Sequence, residues 1–286
     1  MGRKFDIISG IVTKGFQSFS SLIKVALLSK GASGKSEEGK GKELIILGNG
    51  PSLRTTIDRE LEWLETHDLM AVNFAALSPE FHRLRPKYYI LADGHFFNSL
   101  HTDGNVRRLW EIFSTVNWGM TLLIPTKYKH FAQPLLMNAV NIRKRYFNLT
   151  PVEGFKSISH ILFNAGLGMP RPRNVMIPAI MEGIRMGYGK IYLCGADHSW
   201  TKTLNVDSEN FVVSVQPHFY EDNKEEKERV RETYKGIKLH EVLGSMVVAF
   251  RSYWEIADFA KRRNVEIINA TPDSMIDAFP RRYAEK

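Results

Sequence analysis

From Glu43 onward the chain alternates between two hydrophobic periodicities. Short, mostly apolar runs occupy residues 43–47, 69–72, 88–92, 120–124, 191–194 and 265–268. Runs of this length without strict alternation suit strands covered on both faces, as in a parallel sheet. Between them, residues 57–66, 105–115, 175–187 and 241–262 repeat apolar positions every three to four residues, the spacing of a helix with one buried face. Strand alternating with helix predicts an α/β fold: a Rossmann-like, mostly parallel sheet with helices on both faces, spanning residues 43–286.

Residues 1–42 follow a different pattern. Phe5, Ile8, Val12, Phe16, Phe19, Ile23 and Ala26 recur at spacings of three and four, with Lys14, Gln17, Ser21 and Lys24 opposite them. An apolar stripe backed by a basic polar face predicts an amphipathic arm over residues 1–30, of the type that lies in an anionic membrane interface through residues 5–28. Docking of the same stripe on the protein's own core or on a second subunit is the competing reading. Residues 31–42, rich in Gly, Ser and Lys, read as a flexible linker. Gly34-Lys35-Ser36 is no phosphate loop, because Ser29 stands where that pattern needs its first glycine and no strand precedes it.

The chain has 286 residues, 43% hydrophobic and 24% charged, the composition of a globular protein. Its one cysteine, Cys194, excludes a disulfide framework and a cysteine-rich zinc site, and fits a reducing compartment. The net charge is +8, but residues 1–42 alone carry eight basic and three acidic side chains. A nucleic-acid binder spreads its excess over a folded face, so nucleic acid is disfavoured as a partner. Lysines interrupt the apolar arm, which argues against a secretory signal. Together these features place the protein in the cytoplasm, peripheral on the inner face of the membrane, and leave homo-oligomerisation open.

The candidate chemistry collects where the apolar runs end. The first runs into Gly48-Asn49-Gly50-Pro51-Ser52-Leu53, four others into Asn73, Asp93, Gly195-Ala196-Asp197 and Asn269, and the run at 120–124 into Pro125. In open α/β sheets ligands bind beyond the carboxyl ends of the strands. Glycines there let a ligand approach the backbone, and polar residues at five strand ends point to a nucleotide crevice. Residues 199–220 show little periodicity and follow Gly195, as expected of a lid that excludes water from a reactive donor. Residues 143–174, with Arg143-Lys144-Arg145 and Pro170-Arg171-Pro172-Arg173, read as irregular and basic, a surface for an anionic lipid-linked acceptor or a solvated loop.

Four segments resemble a known superfamily. The loop at 48–53, Asp68-Leu69-Met70-Ala71-Val72-Asn73, the stretch from Met186 to Asp197 and Asn269-Ala270-Thr271-Pro272-Asp273-Ser274-Met275-Ile276 are similar, in order, to segments of the bacterial sialyltransferases of glycosyltransferase family 42. They are also similar to the related hydroxymethylpterin pyrophosphokinase-like proteins and motility accessory factors. The resemblance implies that Asn49 and Asn73 contact the nucleotide of a CMP-sugar, with Gly48, Gly50, Ser52, Gly195 and Asp197 shaping its site. Asp93 falls where the family has an Asn, and Asn174 near a donor-binding Thr-Ser pair. The family's general base is a histidine after the Gly-x-Asp strand; here His218 is the candidate. Tyrosines that steady the departing phosphate in the family are replaced by His198-Ser199-Trp200-Thr201-Lys202, so His198 or Lys202 by charge, or Tyr220 by its hydroxyl, takes that task.

The activity this implies is inverting transfer of a sialic acid-like or Kdo-like sugar from its CMP-activated donor onto a glycan or lipid-linked acceptor, extending a bacterial surface glycan. A base takes the acceptor proton while phosphate departs. CMP leaves with one phosphate charge, which hydrogen bonds and one cation can meet. The chain has no Asp-x-Asp, so no metal or other cofactor is expected. Two rivals stand: a Mg²⁺-dependent pyrophosphokinase using Asp93 and Asp197, and a nucleotide-binding module without catalysis.

Overall fold

The computed structural model describes residues 2–213 and 236–282. Seven parallel strands form the central sheet: β1 (Glu43–Leu47), β2 (Asp68–Val72), β3 (Tyr88–Ile90), β4 (Met120–Pro125), β5 (Ile142–Phe147), β6 (Lys190–Cys194) and β9 (Glu266–Asn269). Their order is β5-β4-β3-β2-β1-β6-β9, and a separate antiparallel pair joins β7 (Asn205–Val206) to β8 (Val212–Val213). Leu44 of β1 sits between Asp68 of β2 and Ile191 of β6. The chain therefore steps outward from β1 to β5, then returns to lay β6 on the other side of β1. A crevice is expected at that reversal, beyond the ends of β1 and β6.

The helices, in chain order, are α1 (Gly2–Leu28), α2 (Ser52–Arg59), α3 (Leu61–Glu65), α4 (Glu80–Leu84), α5 (His95–Asn98), α6 (Gly104–Ser114), α7 (Lys129–Leu135), α8 (Lys156–Asn164), α9 (Met176–Arg185), α10 (Trp200–Thr203) and α11 (Leu239–Arg262). Alternate strand residues divide between the two faces of the sheet. Leu44, Ile46, Met70 and Val72 pack with Ile177, Ile180 and Ile184 of α9 and with Tyr253 and Ile256 of α11. Ile45 and Leu47 meet Leu53 and Ile57 of α2, while Tyr89 and Leu122 meet Leu109 and Phe113 of α6. Gly183 brings α9 close to the sheet, since a Cβ there would lie 2.9 Å from Leu44.

The α/β architecture matches the periodicity, with departures that have local causes. Residues 57–66 are not one helix: Glu60 leaves helical geometry at φ −126° and separates α2 from α3. The stretch read as irregular, 143–174, contains an edge strand and a helix. In β5 only Ile142 and Phe147 are buried, and the Arg143 and Lys144 side chains point to solvent. An edge strand so charged resists pairing with other chains, which is why its hydrophobic signal is weak.

Residues 31–42 lie hydrogen-bonded along the body, where their composition suggested free coil. Ser33 N donates to Tyr146 O, Ser36 N to Arg185 O and Gly39 N to Met186 O, at 2.8, 3.2 and 2.9 Å. Gly39 presses on Tyr188, whose ring a Cβ would meet at 2.5 Å. Beneath this strap the buried Glu182 carboxylate pairs with Arg145 at 3.1 Å and Arg185 at 2.5 Å. Those two arginines in turn donate to Gly34 O and Ser33 O.

The arm is helical, as its spacing predicts, and it docks by its serines. Ser18 and Ser21 are buried. Ser18 Oγ accepts from Phe155 N, and Ser21 Oγ donates to Glu153 O and accepts from Glu153 N, at 2.8, 3.0 and 2.9 Å. Gly154 lets the helix approach: its φ is +116° and a Cβ would lie 2.2 Å from Ser18 Oγ. No helix among the described residues is long and apolar enough to cross a membrane.

Candidate functional site

The loops after β1 and β6 pack back to back at the topological reversal. Gly48 N donates to Cys194 O and Gly50 N to Gly195 O, at 2.7 and 2.8 Å. No side chain fits between them, since a Cβ on Gly48 would come within 2.5 Å of Gly195 O. Gly195 itself has φ +64°, the left-handed region that glycine adopts without strain. The paired loops form the floor of a crevice of about 420 Å³, within the usual range for a small-molecule site.

Gly48, Asn49, Gly50, Asn73, Asp93, Asn174, Gly195, Asp197 and His198 all line this crevice, so the structure brings together nine positions separated by up to 150 residues. Ser52 lies beside it, donating Oγ to Asp197 Oδ2 at 2.7 Å while its backbone N–H donates to Oδ1 at 3.3 Å. Asp197 is thus engaged in closing the β1 loop onto the β6 loop. Burial pushes its carboxyl above the usual range against the pull of those bonds. Lys202 is exposed and outside the crevice lining, although its charge reaches Asp197. His218 and Tyr220 lie outside the described residues. Asn269 does not join the crevice: it is buried, donates to Ile276 O and accepts from Thr271 N, and so fastens the C-terminal turn.

The asparagines present unmet hydrogen-bonding capacity. Asn49 Nδ2 donates to Val72 O at 3.2 Å, tying the first loop to the end of β2. Its Oδ1, Asn73 Oδ1 and Asn174 Nδ2 are buried with no partner among the described residues. Buried polar atoms of this kind are costly unless water or a ligand completes them, and these three converge on one crevice. Two acceptors and one donor suit the amino and hydroxyl groups of a nucleoside and an oxygen of its base or phosphate.

His198 takes a different role from the one its charge suggested. It is buried with φ +53°, and burial holds its pKa down at about 3, so it is neutral at physiological pH and cannot steady a phosphate by charge. Tyr253 OH donates to Asn174 Oδ1 at 2.9 Å, so it accepts from His198 Nε2–H at 2.6 Å. Asn174 Oδ1 also accepts from Met176 N at 3.0 Å. This chain of bonds fixes the imidazole tautomer, leaves the lone pair on Nδ1 and directs Asn174 Nδ2 away from its occupied oxygen.

Three further residues line the crevice in roles the sequence reading did not give them. Arg173, read there as part of a basic acceptor surface, is an exposed cation on the rim. His95 begins α5, its Nε2 2.7 Å from Asp103 Oδ2 and its Nδ1 3.0 Å from Ser99 Oγ. It follows Asp93, whose Oδ1 accepts from His95 N at 2.8 Å, and that proximity was the available signal. Trp200 lies with its ring centroid 4.2 Å from that of His198 and offers an aromatic surface beside the floor. Tyr253 carried no signal, being one of many apolar positions on a long helix.

No family model matches this sequence, nor does the sequence of any curated protein. Among solved structures, the fold is similar to that of the MAf glycosyltransferase from Magnetospirillum magneticum AMB-1, with a TM-score of 0.50 and 10% identity. The match covers 91% of this chain and 37% of that one, so the chain spans little more than a third of its neighbour's length. The shared property is the α/β fold: a mostly parallel sheet wrapped by helices.

Proposed function

We propose that the protein is a glycosyltransferase that binds a CMP-activated sugar, sialic acid-like or Kdo-like, in this crevice and transfers the sugar with inversion to a glycan or lipid-linked acceptor of a bacterial surface polymer. The observation that carries the reading is the convergence of Asn49, Asn73 and Asn174, each with a buried polar atom unmet, on the glycine floor at the β1–β6 reversal. The glycosyltransferase nature of the structural neighbour supports it. In this reading the asparagines hold the nucleoside, Arg173 draws charge from the departing phosphate, and the His198–Tyr253 pair keeps Asn174 aimed. His218, within the segment following β8, takes the acceptor proton as the sialyltransferase resemblance implies. No metal is required: phosphate departure is met by hydrogen bonds and one cation.

The pyrophosphokinase alternative asks Asp93 and Asp197 to hold Mg²⁺, whereas Asp197 already binds the Ser52 turn through both oxygens.

A thermal-shift panel of CMP, UDP, GDP and ATP tests the donor class, because a ligand specific to the native state raises the melting temperature with saturation, by about 2.7 kcal/mol of stability at one hundred times Kd. CMP should stabilise most, Asn49→Ala should lose that shift, and turnover should survive EDTA. Stabilisation by ATP alone, with activity abolished by EDTA, would replace this reading with the pyrophosphokinase. Arg173→Ala should retain the fold and lose donor turnover by about a hundredfold to a thousandfold, the range for removing one transition-state hydrogen-bond donor.

A further inference from the structure

We propose that α1 is an interfacial membrane anchor clamped to the body by its polar side, holding the crevice rim against an anionic lipid surface. The helix is mounted the wrong way round for a soluble protein. Its serines face inward, while Val12, Phe16, Phe19 and Leu27 are 66, 73, 63 and 71% exposed. An exposed apolar stripe running along a helix marks a surface that something else covers. The polar side cannot be turned outward instead, because Ser18 and Ser21 are bonded to residues 153–155 and Gly154 is shaped around them.

Charge selects the occupant. Between residues 7 and 36 there is no acidic side chain, while Lys14, Lys24, Lys30 and Lys35 are present. Two copies of such an arm would bring two basic segments together with no acidic side chain between residues 7 and 36 to offset them. A bilayer of anionic lipid takes the phenylalanines among its acyl chains, and its negative headgroups attract the net positive charge of the arm. The helix is too polar to span, so it lies in the plane of the interface.

The clamp ties this anchor to the crevice. Glu153, whose backbone is held by Ser21, pairs with Arg171 at 2.6 Å, and Arg171 O accepts from Ser252 of α11. On α11, Val242, Met246 and Ala249 line the crevice. Leu243, Val247 and Trp254 of the same helix are 42, 55 and 54% exposed, a second apolar stripe ending in a tryptophan, the residue suited to a water–lipid boundary. Two helices that grip one junction thus both present apolar residues outward, and one of them forms a wall of the site. The consequence for the acceptor, that it is lipid-linked and reached from the membrane plane, rests on the transferase reading; the anchoring does not.

Flotation of the full chain with vesicles tests the anchor. It should float with vesicles of phosphatidylcholine and phosphatidylglycerol, and its affinity should fall about fivefold for each lysine no longer facing anionic lipid when pure phosphatidylcholine is used. Phe16→Glu with Phe19→Glu should reduce binding by about tenfold or more per phenylalanine, with the melting temperature and the CMP shift unchanged. Absence of flotation in the unmutated chain, or equal flotation of the double variant, overturns the proposal. So does a dimer in vesicle-free sedimentation that the double variant converts to monomer, which assigns the stripe to a second copy. A failed CMP shift with intact flotation refutes the donor reading and leaves the anchor standing.

Discussion

Helices α1 and α9 carry similar apolar periodicity and occupy opposite worlds. Every residue of α9 from Met176 to Arg185 is buried, between the sheet and α11. In α1 the buried positions among residues 8–28 are Ser18 and Ser21, and most of the apolar residues, Phe16 and Phe19 among them, look out. Periodicity reports which side of a helix avoids water, and says nothing about what replaces the water. In α9 the replacement is the sheet. In α1 the body supplies a short polar seam of loop backbone, beside which Val25 packs against the core, so serine hydroxyls that bond amides and carbonyls outcompete phenylalanines along that seam.

Substitutions along the two helices should separate these roles. The largest effect belongs to Glu182→Ala on α9, which strands Arg145 and Arg185 without their buried partner; breaking such a cluster costs about 3–5 kcal/mol, read as a lowered denaturant midpoint. Ile180→Ala, with Ile180 fully buried, should cost about 2–5 kcal/mol by the same measurement. On α1, Ser18→Ala removes one inward hydrogen bond and should cost about 1 kcal/mol. Phe16→Ala should leave stability within about 0.5 kcal/mol in the absence of lipid. A loss from Phe16→Ala as large as that from Ile180→Ala would erase the contrast.

Acid sharpens a second contrast, between the buried His198 and the solvated arm. Burial lowers the His198 pKa from 6.5 to about 3, so between those values the unfolded chain binds a proton that the native protein does not. Its contribution to stability is complete above about pH 6.5 and is lost as pH falls toward 3. Replacing His198→Gln should flatten the stability profile between pH 6.5 and 4. A profile unchanged by the substitution would show that His198 is already charged in the native state.

Much of the crevice was legible along the chain because strand ends in a parallel sheet all point one way. Asn49, Asn73, Asp93 and the Gly195–Asp197 turn each follow an apolar run, and the fold gathers them automatically. Asn269 follows the same rule and fails, because β9 lies one strand beyond β6 and its end is closed over by the turn to Ile276. His198 was visible as a crevice residue but not as a neutral one: its neutrality comes from burial against Tyr253 and Trp200, and Tyr253 sits 55 residues away on α11. The strap at 31–42 was misjudged for a related reason. Glycine and serine suit coil, and they equally suit a backbone laid flat against an edge strand and a helix end.

What the sequence determined alone is what local sterics and solvation dictate: where strands start and stop, that their ends carry glycine and amide chemistry, and that the first helix is amphipathic. Tertiary structure decided the rest. It chose which side of that helix meets the body, whether an imidazole is charged, and which strand-end residue faces a ligand and which a turn. Each of these depends on the dielectric and the hydrogen-bond partners that distant segments bring, and no local pattern encodes them.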